Sequence, residues 1–190
     1  MKLKNVLSQI ATGLIEAIII TVCSLLVVRN VCFETIVVSG SSMNPTLQSG
    51  DYGYCDKTKH TLDNINRFDI IIFEYDSNGD GKKEELIKRV IGLPNENIYF
   101  DDEEKLYIDG NIINQNFSFN CDDRLKNKNY NALENSYFVL GDNRPFSKDS
   151  RIIGCVQKED IKGVLKVITA HYNDVNDLSK GKKIVPFVYF

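Results

Sequence analysis

An apolar run near the N-terminus constrains this 190-residue chain more than any other feature. It extends from Ile10 to Val28, and Glu16 is its only charged residue. A helix of that length would be about 28 Å long, close to the roughly 30 Å hydrocarbon core of a bilayer. We therefore predict a transmembrane anchor over residues 10–28.

The flanking residues predict the orientation of this anchor. Lys2 and Lys4 precede it, and positive charge favours the cytoplasmic side, so we expect residues 1–9 inside and residues 29–190 outside. A cleavable secretory signal is less favoured, because Arg29–Phe33 offers no small-x-small cleavage site. A buried helix of a soluble protein is the other alternative, and Glu16 favours it because a carboxylate in lipid is costly.

Charge and cysteine content exclude some partners. The net charge of −3 and the pI near 5.5 give no support for nucleic-acid binding. The chain has no Cys-x-x-Cys pair, so we expect no metal site built on cysteine, and we expect no cofactor. Four cysteines lie beyond the anchor and allow three pairings, among which the sequence does not choose. They are Cys32, Cys55, Cys121 and Cys155.

The rest of the chain has the pattern of a mostly β domain. β-branched and aromatic runs separated by turn residues predict many short strands, and no repeat is present. Two polar segments, Thr58–Asn66 and Asn114–Asn135, are predicted loops, the second being the least ordered. Asn97–Phe100 and Leu106–Ile113 are predicted to form a hairpin around Asp109-Gly110. The other predicted strands are Phe33–Val38, Gly50–Tyr54, Phe68–Tyr75, Glu84–Val90, Tyr137–Leu140 and Ile161–Ala170.

The segment Asp76–Gly81 matches the first half of a calcium-binding loop, with oxygen-bearing side chains at positions 1, 3 and 5 and glycine at position 6. Position 12, which should be glutamate, is Ile87. Asn78-Gly79 between two strand-like runs favours a hairpin turn instead.

Three stretches contain candidate catalytic residues. The small residues around Ser42, followed by Pro45, favour a sharp bend on which Ser42 could act as a nucleophile, with nearby backbone N–H groups free to bind an oxyanion. Composition alone, however, favours an ordinary turn. Lys88 lies within an apolar strand, where a solvent-facing lysine is the usual alternative, and periodicity does not settle which face is buried. The third stretch, Gly141–Arg151, combines acids, bases and two serines, which would also suit a solvated turn.

In this order behind an anchor, the three stretches resemble bacterial type I signal peptidases. The matching segments are Ser42-Met43-Asn44-Pro45-Thr46-Leu47, Lys88-Arg89-Val90-Ile91-Gly92-Leu93-Pro94, and Gly141-Asp142-Asn143-Arg144 with Ser147 and Asp149-Ser150-Arg151. The resemblance extends to about Gly163. It implies a membrane-bound serine endopeptidase with a β-rich catalytic domain of short coiled antiparallel sheets. Its implied partners are preprotein signal peptides and the lipid bilayer.

The resemblance also implies roles for individual residues. Ser42 would be the nucleophile, Lys88 the general base, and Ser147 a hydrogen-bonding residue that orients the lysine. Asp149 and Arg151 are expected to pair, and Asp142 and Arg144 to be structural, with Arg89 a possible partner for Asp142. Shallow apolar substrate pockets are expected from Ile36, Val38, Met43, Leu47, Leu86 and Ile87.

Physical chemistry agrees with a lysine base. A free lysine titrates near 10.4, but desolvation in an apolar strand can lower its pKa to roughly 7–8. Gly40 stands where some members carry a serine hydroxyl, so we expect the oxyanion to be held mainly by backbone N–H groups, including that of Ser42. Ile153 and Asn95-Glu96 also depart from the common pattern.

Three rival interpretations remain at this stage. A self-cleaving repressor-type Ser/Lys protease would carry a DNA-binding segment instead of an anchor. A Ser/His signal peptidase would need histidine at position 88, and the only histidines are His60 and His171. A membrane-tethered, inactive binding domain would be expected to lack Ser42 or Lys88.

Overall fold

The computed structural model describes residues 2–172 and 182–190, and it has one long helix followed by a mostly β domain, as predicted. The helix, α1, extends from Lys2 to Cys32 and leads directly into the first strand. Within it, Gln9–Leu26 is long and apolar enough to cross a membrane, and none of these residues is buried against the rest of the described structure.

Within the described residues, the β domain contains twelve strands and two short helices. The strands are β1 (Phe33–Val37), β2 (Asp51–Asp56), β3 (Ile70–Tyr75), β4 (Glu84–Gly92), β5 (Asn97–Phe100), β6 (Leu106–Ile108), β7 (Asn111–Ile113), β8 (Lys128–Asn131), β9 (Ser136–Leu140), β10 (Val156–Gln157), β11 (Ile161–Tyr172) and β12 (Lys182–Tyr189). The short helices are α2 (Lys59–Asp63) and α3 (Ser150–Ile153), and single 3-10 turns occur at Asp123–Leu125, Arg144–Phe146 and Lys158–Asp160.

The strands form two antiparallel sheets. The large sheet has the order β1-β2-β11-β3-β4-β9-β10, with β12 paired to β11, and the small sheet has the order β7-β6-β5-β8. Because β1 and β4 are not neighbours in this order, a gap is left between them. One apolar cluster, which includes Val38, Met43, Ile72 and Leu165, lies behind that gap.

Strand β4 changes partners along its length. Its first part pairs with β3 from Tyr75↔Glu84 to Ile70↔Arg89, whereas its last part, from Arg89, also pairs with β9. Within the described residues, therefore, Glu84–Lys88 has no strand on the side opposite β3. Strand β1 likewise pairs only with β2. Two open strand edges result, and both are close to the predicted catalytic residues.

The hairpin predicted at Asp76–Gly81 is confirmed. It joins β3 to β4, and the Asp76 carboxylate accepts hydrogen bonds from the backbone N–H groups of Asn78, Gly79 and Gly81. An aspartate that accepts from its own turn in this way stabilises the reversal of the chain.

Both segments predicted to be loops are more ordered than expected. Thr58–Asn66 contains α2, and Thr58 caps the helix by accepting from the N–H of Thr61. Asn114–Asn135 contains a 3-10 turn and β8, which pairs with β5. Leu125 in this segment is fully buried, so it holds the segment against the small sheet. The tail, whose role the sequence leaves open, contributes β12 to the large sheet, and all five cysteines are free.

Candidate active site

Ser42 lies on a tight turn that is fixed from below by apolar side chains. Met43 and Leu47, on either side of the bend, are 2% and 1% exposed and pack into the core. The N–H of Leu47 donates to the carbonyl of Met43 at 2.9 Å. Ser42 itself is only half-buried. Its hydroxyl is thus held in place and remains accessible.

Lys88, on strand β4, contacts this hydroxyl. Its Nζ lies 2.9 Å from Ser42 Oγ and 2.8 Å from the carbonyl oxygen of Ile87, and the residue is only 2% exposed. Burial disfavours the ammonium and lowers the pKa of Lys88 from 10.5 to about 8, although the charges of Asp149 and Glu84 oppose the shift. A substantial fraction of the lysine is therefore a neutral amine at mildly alkaline pH.

Arg89 points to the opposite face of β4 and is also buried, so charge enters both faces of this strand. Its Nη2 and Nε donate to the fully buried carboxylate of Asp142 at 2.6 and 2.9 Å, and its Nη1 donates to the carbonyl of Phe68. The hydroxyl of Thr46 donates to the same carboxylate at 2.5 Å. The expected Arg89–Asp142 pair is present and connects β4 to the end of the Ser42 turn.

Asp149 and Arg151 form the pair that the resemblance implies. Arg151 Nε donates to Asp149 Oδ1 at 2.7 Å, and Nη1 donates to Asp122 at 2.6 Å. Asp149 also accepts from the backbone N–H of Gly141 at 3.0 Å. These contacts fix the loop that follows β9 where it passes behind Ser42.

Arg144 is a fully buried support within the same loop. Its Nη2 donates to the side-chain oxygen of Gln115 at 3.0 Å, and its guanidinium lies 4.5 Å from the centre of the Phe119 ring. Burial lowers the pKa of this arginine to about 10. It packs inside the loop and does not line the cavity beside Ser42.

Ser147 lies close to Ser42 but does not make the hydrogen bond that the resemblance implies. It is 5% exposed and packs against Gly141, where an added side chain would collide with both Ser147 and the carbonyl oxygen of Ser42. Among the described residues, its Oγ has no hydrogen-bond partner. Lys88 Nζ turns instead to Ser42 Oγ and to the carbonyl of its neighbour Ile87.

A cavity of about 270 Å³ opens beside Ser42 and Lys88, between β1 and β4. We call it the groove. Leu47, predicted as a pocket residue, is not part of its lining, because its side chain turns into the core beneath the Ser42 turn. The other five predicted pocket residues do line the groove: Ile36, Val38, Met43, Leu86 and Ile87.

The structure adds Asn143, to which the sequence assigns no role. Its side-chain Nδ2 donates to the carbonyl of Ser41 at 2.9 Å, and its backbone N–H donates to the carbonyl of Ser42 at 3.0 Å. The sequence feature that could have suggested a role for Asn143 is its position directly after Asp142 in the third stretch. Nothing in that stretch shows that its amide reaches a turn one hundred residues earlier.

A serine hydroxyl beside a desolvated lysine amine, in a groove with open strand edges, is the arrangement that serine peptidases with a lysine partner use. Residues 11–170 match the family model described as signal peptidase, peptidase S26. The chain belongs to this family and is a serine endopeptidase.

Curated relatives are similar over most of their length. Signal peptidase I V of Bacillus subtilis (strain 168) is 36% identical over 160 residues, which cover 77% of this chain and 92% of the relative. Signal peptidase I P of Bacillus subtilis subsp. natto is 35% identical over 158 residues, covering 78% and 82%. A solved signal peptidase I from Enterococcus faecalis V583 is 34% identical and covers 54% of this chain and 97% of its own, with a TM-score of 0.43.

Proposed function

We propose that this protein removes N-terminal signal peptides from exported preproteins, with Ser42 as nucleophile and Lys88 as general base. The observation that carries the proposal is the 2.9 Å contact between Lys88 Nζ and Ser42 Oγ, made by a lysine that is almost fully buried. Membership of the signal peptidase family supports the substrate class.

The proposed reaction is a two-step acyl transfer. Ser42 Oγ attacks the carbonyl carbon of the scissile bond while the neutral Lys88 amine takes the hydroxyl proton. The resulting ammonium then gives this proton to the leaving amine, and the signal peptide stays esterified to Ser42. In the second step, water attacks the carbonyl carbon of this ester while the neutral Lys88 amine takes a proton from the water. The ester bond then breaks, Lys88 returns the proton to Ser42 Oγ, and the signal peptide is released. The backbone N–H of Ser42 would stabilise the oxyanion in both steps.

The two open strand edges support a binding mode for the substrate. An extended peptide placed between β1 and β4 would form backbone hydrogen bonds to both, which is β-augmentation. Alternate side chains of a strand point the same way, so residues −1 and −3 from the scissile bond would enter the groove together. Ile36, Leu86 and Ile87 would form the walls of shallow pockets there, and residue −2 would point outwards.

Cleavage of a preprotein tests this function directly. The detergent-solubilised protein is expected to cut a preprotein with an Ala-x-Ala site after the second alanine, as read by N-terminal sequencing of the product. Phenylalanine at −1 should lower kcat/KM about ten- to a hundredfold, because overfilling a packed pocket costs roughly 1–3 kcal/mol. Phenylalanine at −2 is the matched control and should be tolerated. Equal cleavage of the −1 and −2 variants would contradict the pocket assignment, and no cleavage of any substrate would favour the inactive binding domain.

We also propose that residues 10–28 cross the membrane, with residues 1–9 cytoplasmic and 29–190 forming the extracytoplasmic peptidase domain. The exposure of the apolar Gln9–Leu26 segment supports this, because lipid would cover it. Ser42 lies ten residues after Cys32, the last residue of α1, so an extended chain would place it at most about 35 Å from the helix end. The site would then act close to the outer leaflet.

Thiol labelling tests this orientation. Cys121 is exposed and free in the β domain, so a membrane-impermeant maleimide added to intact cells should label a variant that keeps only this cysteine. Replacing Cys121 by serine as well gives the control that should stay unlabelled. Labelling that appears only after lysis would mean that the β domain is cytoplasmic.

A further inference from the structure

The segment Phe117–Asn120, which lies outside all three motif stretches, packs against the back of the active site. The Phe117 ring lies 4.1 Å from the guanidinium carbon of Arg89. The backbone N–H of Asn120 donates to the carbonyl of Asp142 at 2.8 Å. The segment is therefore in contact with the same loop that holds the Ser42 turn.

Asn143 holds the peptide group that joins Ser41 to Ser42. The Ser41 carbonyl accepts from Asn143 Nδ2 at 2.9 Å and from the backbone N–H of Asn44 at 3.1 Å. A peptide group is planar, so the direction of its carbonyl fixes the direction of its N–H. The N–H of this group belongs to Ser42 and is the proposed oxyanion donor. Holding the Ser41 carbonyl thus aims the oxyanion donor.

Asn120 determines which end of the Asn143 amide faces Ser41. Asn120 Nδ2 donates to Asn143 Oδ1 at 3.0 Å. A side-chain amide has a donor end and an acceptor end, and engaging the oxygen on one side leaves the NH₂ for the other. A flipped amide would place Asn143 Oδ1 against the Ser41 carbonyl, two acceptors in contact. The donor on Asn120 therefore favours the orientation that holds Ser41.

We infer that Asn120 is a positioning residue for the oxyanion hole, acting through Asn143 on the N–H of Ser42. This inference rests on the proposed peptidase function. An oxyanion donor stabilises charge that develops only in the transition state, so its misalignment lowers kcat and leaves substrate binding unchanged. Asn120 is not among the residues that line the groove, which also predicts an unchanged KM.

Two substitutions at Asn120 separate this role from general support of the fold. Asn120 is exposed, so both variants are expected to fold with an unchanged Tm. Asn120→Ala removes the donor and should lower kcat about three- to tenfold at constant KM, the effect of losing one partly buried hydrogen bond. Asn120→Asp should lower kcat further, because a carboxylate accepts from Asn143 Nδ2 and so favours the flipped amide. Asn116→Asp, an exposed asparagine four residues earlier, is the matched charge control and should keep the kcat of the unsubstituted protein.

The measurement is steady-state cleavage of one peptide substrate by the full-length chain in detergent. The expected order of kcat is unsubstituted protein and Asn116→Asp, then Asn120→Ala, then Asn120→Asp, with one KM for all four. A kcat for Asn120→Asp equal to that of the unsubstituted protein would overturn the positioning role while leaving the peptidase function intact. An equal loss in Asn116→Asp, or a rise in KM in place of the fall in kcat, would overturn it too. An unsubstituted protein that cleaves nothing would overturn both proposals.

Discussion

Ser42→Ala and Lys88→Ala are each expected to lower kcat/KM by about 10⁴- to 10⁶-fold, and the double variant should be no worse than either alone. Residues that act as one unit show this non-additivity, because losing either partner ends the shared step. In the structure, the two side chains share one hydrogen bond of 2.9 Å. Cleavage of a synthetic preprotein peptide, followed by mass spectrometry, measures the effect.

Matched controls exclude a general effect of these substitutions. Ser77 and Lys82 lie in the hairpin turn between β3 and β4 and are not among the residues that line the groove, so Ser77→Ala and Lys82→Ala should keep full activity. The Tm of each variant shows whether it is folded. Losses that multiply in the double variant, or full cleavage by either single variant, would refute the proposed dyad.

The rate should also depend strongly on pH. If Lys88 must be neutral and its pKa is about 8, kcat/KM should rise roughly tenfold per pH unit up to pH 7 and level off above 8. Between pH 6 and 8 the expected increase is roughly fiftyfold, from the fraction of neutral amine at each pH. A histidine base would instead give a rise centred near 6.5. A profile with that midpoint that disappears on substitution of His60 or His171 would contradict the lysine mechanism.

The same pKa has a predictable effect on stability. The folded-state pKa of Lys88 lies below the value of 10.5 expected for an unfolded lysine, so between pH 8 and 10.5 the unfolded chain binds more protons than the folded one. Lys88 therefore contributes an increase in the free energy of unfolding as pH rises through this range. In Lys88→Met this contribution should be absent, which denaturant unfolding at pH 8 and pH 10 would reveal.

The sequence predicted most strands but left the orientation of β4 open. Alternation normally identifies the buried face, yet Lys88 and Arg89 are consecutive and both are buried. Each face is covered, one by the Ser42 turn and the other by the loop that carries Asp142. Only those distant contacts make both faces interior, so no local pattern within β4 could have revealed it. The resemblance, by contrast, anticipated that Ser42 and Lys88 belong together.

Predictions that depended on side-chain direction or on composition were less successful. The family resemblance predicts Leu47 in a substrate pocket, but its side chain packs into the core and does not line the groove. The polar composition of Asn114–Asn135 predicts a loop. Leu125 and Ala132 are buried in the core of the small sheet, and Phe117 and Tyr130 pack against it, so a few apolar residues hold this segment in place. The overall composition of a segment does not show that a few of its residues are buried in the core.

The contacts that assemble the site join residues far apart in the chain, and this affects how the enzyme is made. Lys88 bonds a serine 46 residues earlier, Thr46 bonds a carboxylate 96 residues later, and Asn143 bonds a carbonyl 102 residues earlier. Contacts of such long sequence separation are typical of β proteins that fold in milliseconds to seconds. The Ser42 turn is synthesised well before the loop that fixes it. A nascent chain therefore carries Ser42, the proposed nucleophile, without its support, and we expect proteolytic activity to begin only when folding is nearly complete.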